Sequence, residues 1–172
     1  FAEAASRAGY DPLRLAAEFH APPLAVFRRL ATLRRGGLDA PAFALLQLNA
    51  AGRVEMRRPQ SFIALPRHGA ACPFWPVFDA ISRPETPVSR LCALPDGTAL
   101  FVTAYASATA PPMLHELPRY RGAMLILPRD TAAAIGLYQD AMHRPGARGV
   151  GPGCRICPRE DCAERTDLSI LG

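Results

Sequence analysis

Three of the five cysteines in this 172-residue chain lie close together, in the segment GPGCRICPREDCAER near the C-terminus. Two residues separate Cys154 from Cys157, and four separate Cys157 from Cys162. Thiolates are soft metal ligands, and a loop rich in Gly and Pro lets several of them face one point. The chain shows no export signal, and in that setting clustered cysteines favour a metal site over disulfides. The spacing therefore predicts a metal centre.

Three thiolates leave one position of a four-ligand centre open, and the chain has two further cysteines, Cys72 and Cys92. Cys72 stands in GAACPFWP, which has the composition of a loop. Cys92 stands in SRLCALP, a strand-like apolar run that suits a buried structural thiol. We therefore predict Cys72 as the fourth ligand, with His68 and His143 as possible substitutes for a cysteine.

The residues favour an iron–sulfur cluster over Zn²⁺, which stays open as the alternative. Zinc sites with four cysteines often contain two C-x2-C pairs, and this chain has one. Clusters accept less regular spacings, and their cysteines are often followed by Pro, as Cys72 and Cys157 are here.

Helical patterns occupy residues 1–37. Asp11 is a suitable N-cap, and the apolar residues of PPLAVFRRLATLRR recur at helical spacing until a Gly–Gly pair. Two short predicted helices on either side of HAPP (20–23) resemble a helix-turn-helix. Arginines on or after the second of them could contact DNA phosphates. Because many other helical pairs share this pattern, a packed pair with a solvated basic face is the favoured interpretation. These arginines are Arg28, Arg29, Arg34 and Arg35.

From about residue 41 the apolar spacing changes to two, which is typical of strands. Hairpins are predicted around AAG (50–52) and PDG (95–97), and SFIAL (61–65) and GAMLIL (122–127) are predicted as strands. Helices are expected near Pro76 and after a cap at Asp130. The order predicts an α+β fold with an antiparallel sheet, divided into a helical segment at 1–37 and a ligand-sensing domain at 38–172.

Composition adds weaker constraints. Hydrophobic residues make up 49% and charged residues 20%, so a folded core is expected, and the apolar runs are too short to span a bilayer. All 20 basic residues are Arg and the net charge is +5, which slightly favours an anionic partner. The chain opens inside an amphipathic pattern, so we interpret it as part of a longer protein.

GPGCRICPREDCAER, HGAACPFWPVFDAISRP and CALPDGTALFV together resemble the C-terminal domain of the ScfR-type short-chain fatty acid regulators of bacteria. LRLAAEFHAPPLAVFRRLATL resembles the end of the ImmA/IrrE-like region that precedes it. The resemblance implies a modified GAF-type sensor of short-chain acyl-CoA. It also implies a 4Fe–4S cluster on Cys72, Cys154, Cys157 and Cys162, and gives Cys92 no counterpart.

The same resemblance implies a cytoplasmic regulator that reads DNA through an N-terminal helix-turn-helix outside this chain, and a homodimer is expected. Apolar residues of the hairpins and of GAMLIL would line the acyl pocket. CoA phosphates would contact arginines, for which the candidates are Arg57, Arg58, Arg119 and Arg121.

Two other functions compete with that of a sensor. One is a zinc-stabilised dimerisation domain without a small ligand. The other is an enzyme, which the sequence disfavours because it contains no paired carboxylates in a Gly-rich cleft, no G-x-S-x-G, no phosphate-binding loop and no H-E-x-x-H.

Overall fold

The computed structural model describes residues 1–34, 39–66, 70–109, 114–135 and 146–171. Three short helices open the chain: α1 (Ala2–Arg7), α2 (Pro12–Glu18) and α3 (Pro23–Ala31). As predicted, Asp11 caps α2, because its Oδ1 accepts hydrogen bonds from the backbone N–H groups of Leu13 and Arg14 at 2.9 and 3.1 Å. No helix in the described ranges is long and apolar enough to cross a membrane.

Six strands then form one sheet: β1 (Ala44–Asn49), β2 (Val54–Arg58), β3 (Val88–Ala93), β4 (Ala99–Ala108), β5 (Tyr120–Pro128) and β6 (Arg148–Gly149). Their order across the sheet is β2-β1-β5-β4-β3-β6. In the described part of the chain the neighbouring strands pair antiparallel, except that the short β6 runs parallel to β3. The predicted α+β class with an antiparallel sheet is confirmed.

Both predicted hairpin turns are present. Between β1 and β2, Asn49 Oδ1 accepts hydrogen bonds from the N–H groups of Ala51 (3.1 Å) and Arg53 (3.0 Å). Between β3 and β4, the N–H of Leu94 donates to the carbonyl of Thr98 at 3.0 Å, and Gly97 has a φ of +85°. Only a residue without a Cβ adopts that backbone conformation at little cost.

The sheet is covered on both faces. The first three helices and α5 (Arg129–Ala134) pack on one face, and α4 (Pro76–Ser82) packs on the other. Alternate residues of β5 therefore enter different cores, with Leu125 facing α3 and Met124 facing α4. Burial on both sides explains why GAMLIL is a continuous apolar run. The helices share a core with the sheet, and the boundary predicted at residues 37 and 38 lies outside the described residues.

Two local predictions are wrong. SFIAL is not a strand: Ile63 makes an isolated bridge with Gln60, and its N–H donates back to the Gln60 carbonyl at 3.1 Å, which is a turn. Pro59 and Pro66 flank the segment, and they cannot donate to a ladder. Asp130 is not the cap of α5, because β5 runs directly into the helix and Pro128 takes that position. Asp130 lies in the first turn, where its charge still suits the helix dipole.

The arginines of α3 have partners within the chain. Arg28 Nη1 donates to Gln47 Oε1 on β1 at 3.2 Å, and the Arg29 guanidinium lies 5.5 Å from the centroid of the Phe1 ring. These contacts support the packed helical pair over a DNA-contacting surface. Arg34 is exposed, and Arg35 lies outside the described residues.

Replacement of Gly122 tests the packing of α4 on β5. A Cβ at this position would lie 2.7 Å from Val77 Cγ2 and 2.9 Å from Ile81 Cγ1. We expect Gly122→Val to lower the free energy of unfolding in urea by about 1–3 kcal/mol, because the added atoms overpack this contact. Ala108→Val, at the half-buried end of β4, is the control and should change it by less than about 0.5 kcal/mol. Equal losses in both variants would contradict this packing.

Candidate metal centre

The cysteines predicted as ligands come from two segments that meet beside the edge of the sheet. Cys72 precedes α4, and the other three belong to the C-terminal loop, in which Cys154–Ile156 form a single 3-10 turn. Cys72, Cys154, Cys157 and Cys162 all line one small cavity. Cys72 and Cys157 are buried, and Cys154 and Cys162 are partly exposed. The structure therefore brings the four predicted ligands to one place.

A buried hydrogen bond joins the two segments. The indole Nε1–H of Trp75 donates to the carbonyl of Gly151 at 2.9 Å, and Trp75 is 1% exposed. The backbone N–H of Trp75 donates to the Cys72 carbonyl at 3.1 Å, which forms a tight turn. Cys72 is thus held at a fixed position relative to the start of the C-terminal loop.

The glycines of this loop allow other groups to approach its backbone closely. A Cβ at Gly151 would lie 3.0 Å from the Cys157 sulfur. Gly153 has a φ of +141°, and a Cβ there would lie 3.2 Å from the carbonyl oxygen of Ala70. A side chain at Gly151 would crowd Cys157 within the loop, and one at Gly153 would press on the segment that contains Cys72 and would also strain the backbone.

Two arginines hold the backbone of the loop. Arg165 donates to the carbonyls of Cys154 (3.1 Å) and Cys157 (3.3 Å), and also to those of Arg159 and Asp167. Arg159 donates to the carbonyls of Val150 at 2.9 Å and Ala93 at 3.1 Å. A guanidinium has five N–H donors in a fixed plane, so one side chain can fix several carbonyls at once.

An ion-pair network attaches the preceding strand to α4. Arg148 of β6 donates from Nη1 to Asp79 Oδ2 at 2.6 Å and to the Phe74 carbonyl at 3.4 Å. Arg90 of β3 lies 3.3 Å from the same carboxylate oxygen. These groups are partly buried, so solvent screens them less than it screens surface pairs. The network links β6, α4 and the residues that follow Cys72.

The pKa values of three of the thiols are shifted in different directions by burial and hydrogen bonding. Burial raises the pKa of Cys72, and the neighbouring Cys154 and Cys157 act in the same direction. At Cys154, partial burial raises the pKa, but hydrogen bonds from Thr166 and the Asp167 backbone, together with the Arg165 charge, outweigh it and leave the pKa below its usual value. Burial raises the pKa of Cys92 to about 12.

Cys92 is separate from the cavity. It is fully buried on β3 under α4, opposite Leu100 of β4 and Arg148 of β6. It is not among the residues that line the cavity of the other four cysteines. This position matches a structural thiol of the core.

The four thiols stand around a space that is small for a metal centre. Among the described residues, no three His, Cys, Asp or Glu side chains lie close enough together to hold one ion. The space enclosed by the four cysteines is about 10 Å³, about the volume that holds one water molecule. His68 and His143, the predicted substitutes, lie outside the described residues.

The four arginines predicted for CoA phosphates do not form one cluster. Arg58 pairs with Leu45 at the start of β1, whereas Arg121 pairs with Asn49 at its end, so about 13 Å of strand separates them. Arg121 forms an ion pair with Glu55 at 2.8 Å. Arg57 and Arg119 also differ in setting: Arg57 Nη1 donates to the Leu65 carbonyl at 3.5 Å, and Arg119 is exposed.

Among the described cavities, residues 94–96 of the second hairpin line one, whereas the GAMLIL strand lines none of those found. Residues 123–127 are buried in the two cores. Apolar cavities of about 490 and 480 Å³ lie instead on either side of Pro152, and the second is lined in part by Leu65, Ile156 and Ile170. The Pro-rich composition of these loops does not predict either cavity.

Sequence reasoning also missed the side chains that position the cysteine loop. Trp75 and Arg148 act over more than 60 residues, and no local pattern reveals such contacts. Arg159 and Arg165 stand inside the cysteine motif itself. Their position in the sequence, among three predicted ligands, could have indicated that these two arginines bind carbonyls of the loop.

A family model described as short-chain fatty acyl coenzyme A regulator, C-terminal, matches residues 32–170 of this chain. Over 167 residues the chain is 30% identical to a propionyl-CoA carboxylase regulator of Cereibacter sphaeroides, and the match covers 96% of this chain and 36% of that protein. Over 169 residues it is 31% identical to the HTH-type transcriptional regulator PrpR of Mycobacterium tuberculosis, with 96% and 34% covered.

A solved structure of a Mycobacterium tuberculosis transcriptional regulator has a similar fold. It superimposes with a TM-score of 0.85 at 26% sequence identity, over 100% of this chain and 53% of that one. The chain spans about a third of the length of the curated relatives that it matches.

Alkylation of the metal-free protein should distinguish the cysteines. The thiolate is the reactive form, so a lowered pKa increases the reactive fraction at neutral pH and a raised pKa removes it. With iodoacetamide at neutral pH, we expect Cys154 to be modified first and Cys92 to stay unmodified until the protein unfolds. Peptide mass spectrometry over time measures the order. Modification of Cys92 in the folded protein at a rate similar to that of Cys154 would contradict the buried position.

Proposed function

The chain belongs to the family of short-chain fatty acyl coenzyme A regulators, and from that membership we propose that it senses short-chain acyl-CoA and holds a 4Fe–4S cluster. The proposed cluster ligands are Cys72, Cys154, Cys157 and Cys162. The complete protein would be a cytoplasmic homodimer that reads DNA through an N-terminal domain outside this chain. Its relatives support a role in regulation, since they include HTH-type transcriptional regulators.

The observation that carries the metal proposal is the meeting of four thiols at one cavity from two distant segments. Buried cysteines are common in cores, but a core does not require them to gather at a loop. The other thiol of the chain, Cys92, lies in the core instead.

The spacing favours a cluster over a single zinc ion. Zinc sites with four cysteines often contain two C-x2-C pairs, and this chain has one, whereas clusters accept less regular spacings. Each thiolate of a four-iron cluster binds a different iron, so its sulfurs stand further apart. Because the enclosed space is about 10 Å³, the partly exposed segment with Cys154 and Cys162 would have to move outward.

Two side chains of the protein would hold the ligand segments in place. Trp75 fixes Cys72 against the start of the loop, and Arg165 holds the carbonyls of Cys154 and Cys157. When bound, the cluster would supply a redox-active cross-link between the C-terminal loop and the sheet. Ligand binding would then contribute directly to the folding free energy of this loop.

Support for acyl-CoA comes from the family and from one of the predicted arginines. Arg58 lines a cavity of about 300 Å³ between the helical layer and the sheet. Arg57, Arg119 and Arg121 stay candidates for contacts with CoA, although they stand at separate places on the surface of the sheet.

Purification without oxygen should give brown protein with four irons and four acid-labile sulfides per chain. Cys157→Ser should lose the cluster, release the C-terminal loop to proteolysis and lower the melting temperature. Cys92→Ser is the control: it should keep the iron and cost only packing energy, about 1–2 kcal/mol. Iron and sulfide analysis, with limited proteolysis, measures both effects.

A stoichiometry of one zinc per chain would overturn the cluster and favour the alternative, a zinc-stabilised dimerisation domain. Protein without any metal, with a loop as resistant to protease in Cys157→Ser as in the wild type, would overturn both.

Titration calorimetry tests the ligand. We expect propionyl-CoA to bind and free propionate not to bind, because the nucleotide part of the ligand supplies the charges that arginines recognise. Absence of heat and of any thermal shift with a series of acyl-CoA esters, in the full-length protein as well as in this domain, would contradict acyl-CoA sensing.

A further inference from the structure

Two arginines line a cavity between the helical layer and the sheet, and one of them has a buried nitrogen without a partner. Arg58 Nε is buried and makes no hydrogen bond to any of the described residues. The cavity beside Arg58 has a volume of about 300 Å³ and is bounded by the end of α3, the residues that lead into β1, and the end of β2. Buried donors in proteins are nearly always satisfied, so the Arg58 guanidinium lacks one of its usual acceptors within the described chain.

The cavity has positive charge and no carboxylate to balance it. Its described lining contains two arginines, Arg34 and Arg58, and no Asp or Glu. Glu55, the carboxylate on β2, is already used, because it pairs with Arg121 at 2.8 Å and accepts from Gln47 Nε2 at 3.2 Å. A buried guanidinium nitrogen without an acceptor is costly.

The polar groups around the cavity are suited to an anion. The guanidinium fork matches the oxygens of a phosphate group better than a single point charge does. Gln60 Nε2 donates to the Phe43 carbonyl at 3.1 Å, which holds the wall of the cavity in place.

The carboxyl end of α3 would by itself repel an anion through the helix dipole. Two of its last carbonyls, those of Arg29 and Leu30, already accept hydrogen bonds from the N–H groups of Thr32 and Leu33. Arg34, which follows this helix end, supplies a compensating positive charge.

We propose that this cavity binds a phosphate or pyrophosphate group. The proposal rests on the function proposed above, since the pyrophosphate of coenzyme A is one source of that chemistry, and free phosphate compounds are the other. A volume of about 300 Å³ lies at the lower limit of ligand pockets, which suits the phosphates but not a whole coenzyme. Because the walls come from α3 and from the β1–β2 edge, a bound anion would join the helical layer to the sheet.

Thermal unfolding of the domain in phosphate-free buffer tests the site, with pyrophosphate, inorganic phosphate and CoA added at constant ionic strength. The wild type should show a saturable rise in melting temperature with pyrophosphate. Arg58→Gln should bind pyrophosphate at least about tenfold more weakly, which is typical of a lost charge-assisted contact. Without ligand, Arg58→Gln should be no less stable than the wild type, because it removes a buried donor that has no acceptor.

Two further variants control the experiment. Arg34→Gln changes an exposed residue, so it should fold, and it should weaken pyrophosphate binding several-fold. Arg14→Gln removes the same charge from an exposed position on α2 and should leave binding unchanged. No saturable shift in the wild type, or equal weakening by Arg14→Gln and Arg34→Gln, would overturn the proposal.

The CoA measurements separate this proposal from acyl-CoA sensing. Parallel losses of CoA and pyrophosphate binding in Arg34→Gln and Arg58→Gln would identify the coenzyme as the source of the anion. Binding of pyrophosphate without any binding of CoA or its esters would support the cavity and overturn acyl-CoA sensing. Unchanged CoA binding in variants that no longer bind pyrophosphate would support a free phosphate compound as the ligand here and leave acyl-CoA sensing standing.

Discussion

The hydrogen bond from the Trp75 indole to the Gly151 carbonyl is the contact on which the geometry of the C-terminal loop depends. It joins residues 76 positions apart in a buried setting, where loss of the acceptor would cost about 1–3 kcal/mol. Gly151 in turn has the Cys157 sulfur close to its backbone, where an added Cβ would lie 3.0 Å from that sulfur and crowd it. The position of Cys157 relative to Cys72 therefore follows from one indole and one glycine.

Beyond that bond, the loop is held by polar contacts more than by apolar burial. Arg148 and Arg159 attach its first residues to α4 and β3, and Arg165 binds carbonyls within it. The last apolar residues of the described chain, Leu168, Ile170 and Leu171, stay largely exposed. Since little hydrophobic free energy orders this segment, a metal bound by its cysteines would change its stability more than that of the sheet.

The sequence predicted features that depend on neighbouring residues. The Asp11 cap, the two hairpin turns and the strand with apolar residues on both faces are all encoded within a few positions. It failed at SFIAL and Asp130, where flanking prolines and a direct passage from strand to helix override the local pattern. The cysteine set could be proposed because thiols are few, whereas no local pattern distinguishes Arg57, Arg58, Arg119 and Arg121 from the other arginines among the 20 of the chain. Nothing short of the fold shows which arginine faces a cavity.

Because the chain has no lysine, the contacts of its arginines show where its positive charge is used. Every basic side chain is a guanidinium, so each can satisfy several acceptors in one plane, and many in the described ranges do so within the chain. Arg28, Arg148, Arg159 and Arg165 hold side-chain or backbone oxygens, and Arg90 and Arg121 pair with carboxylates. The net charge of +5 therefore says little about an external partner, because much of the positive charge already has internal acceptors. The informative arginine is Arg58, which has a buried Nε without an acceptor in the described chain and lines a cavity large enough for an anion.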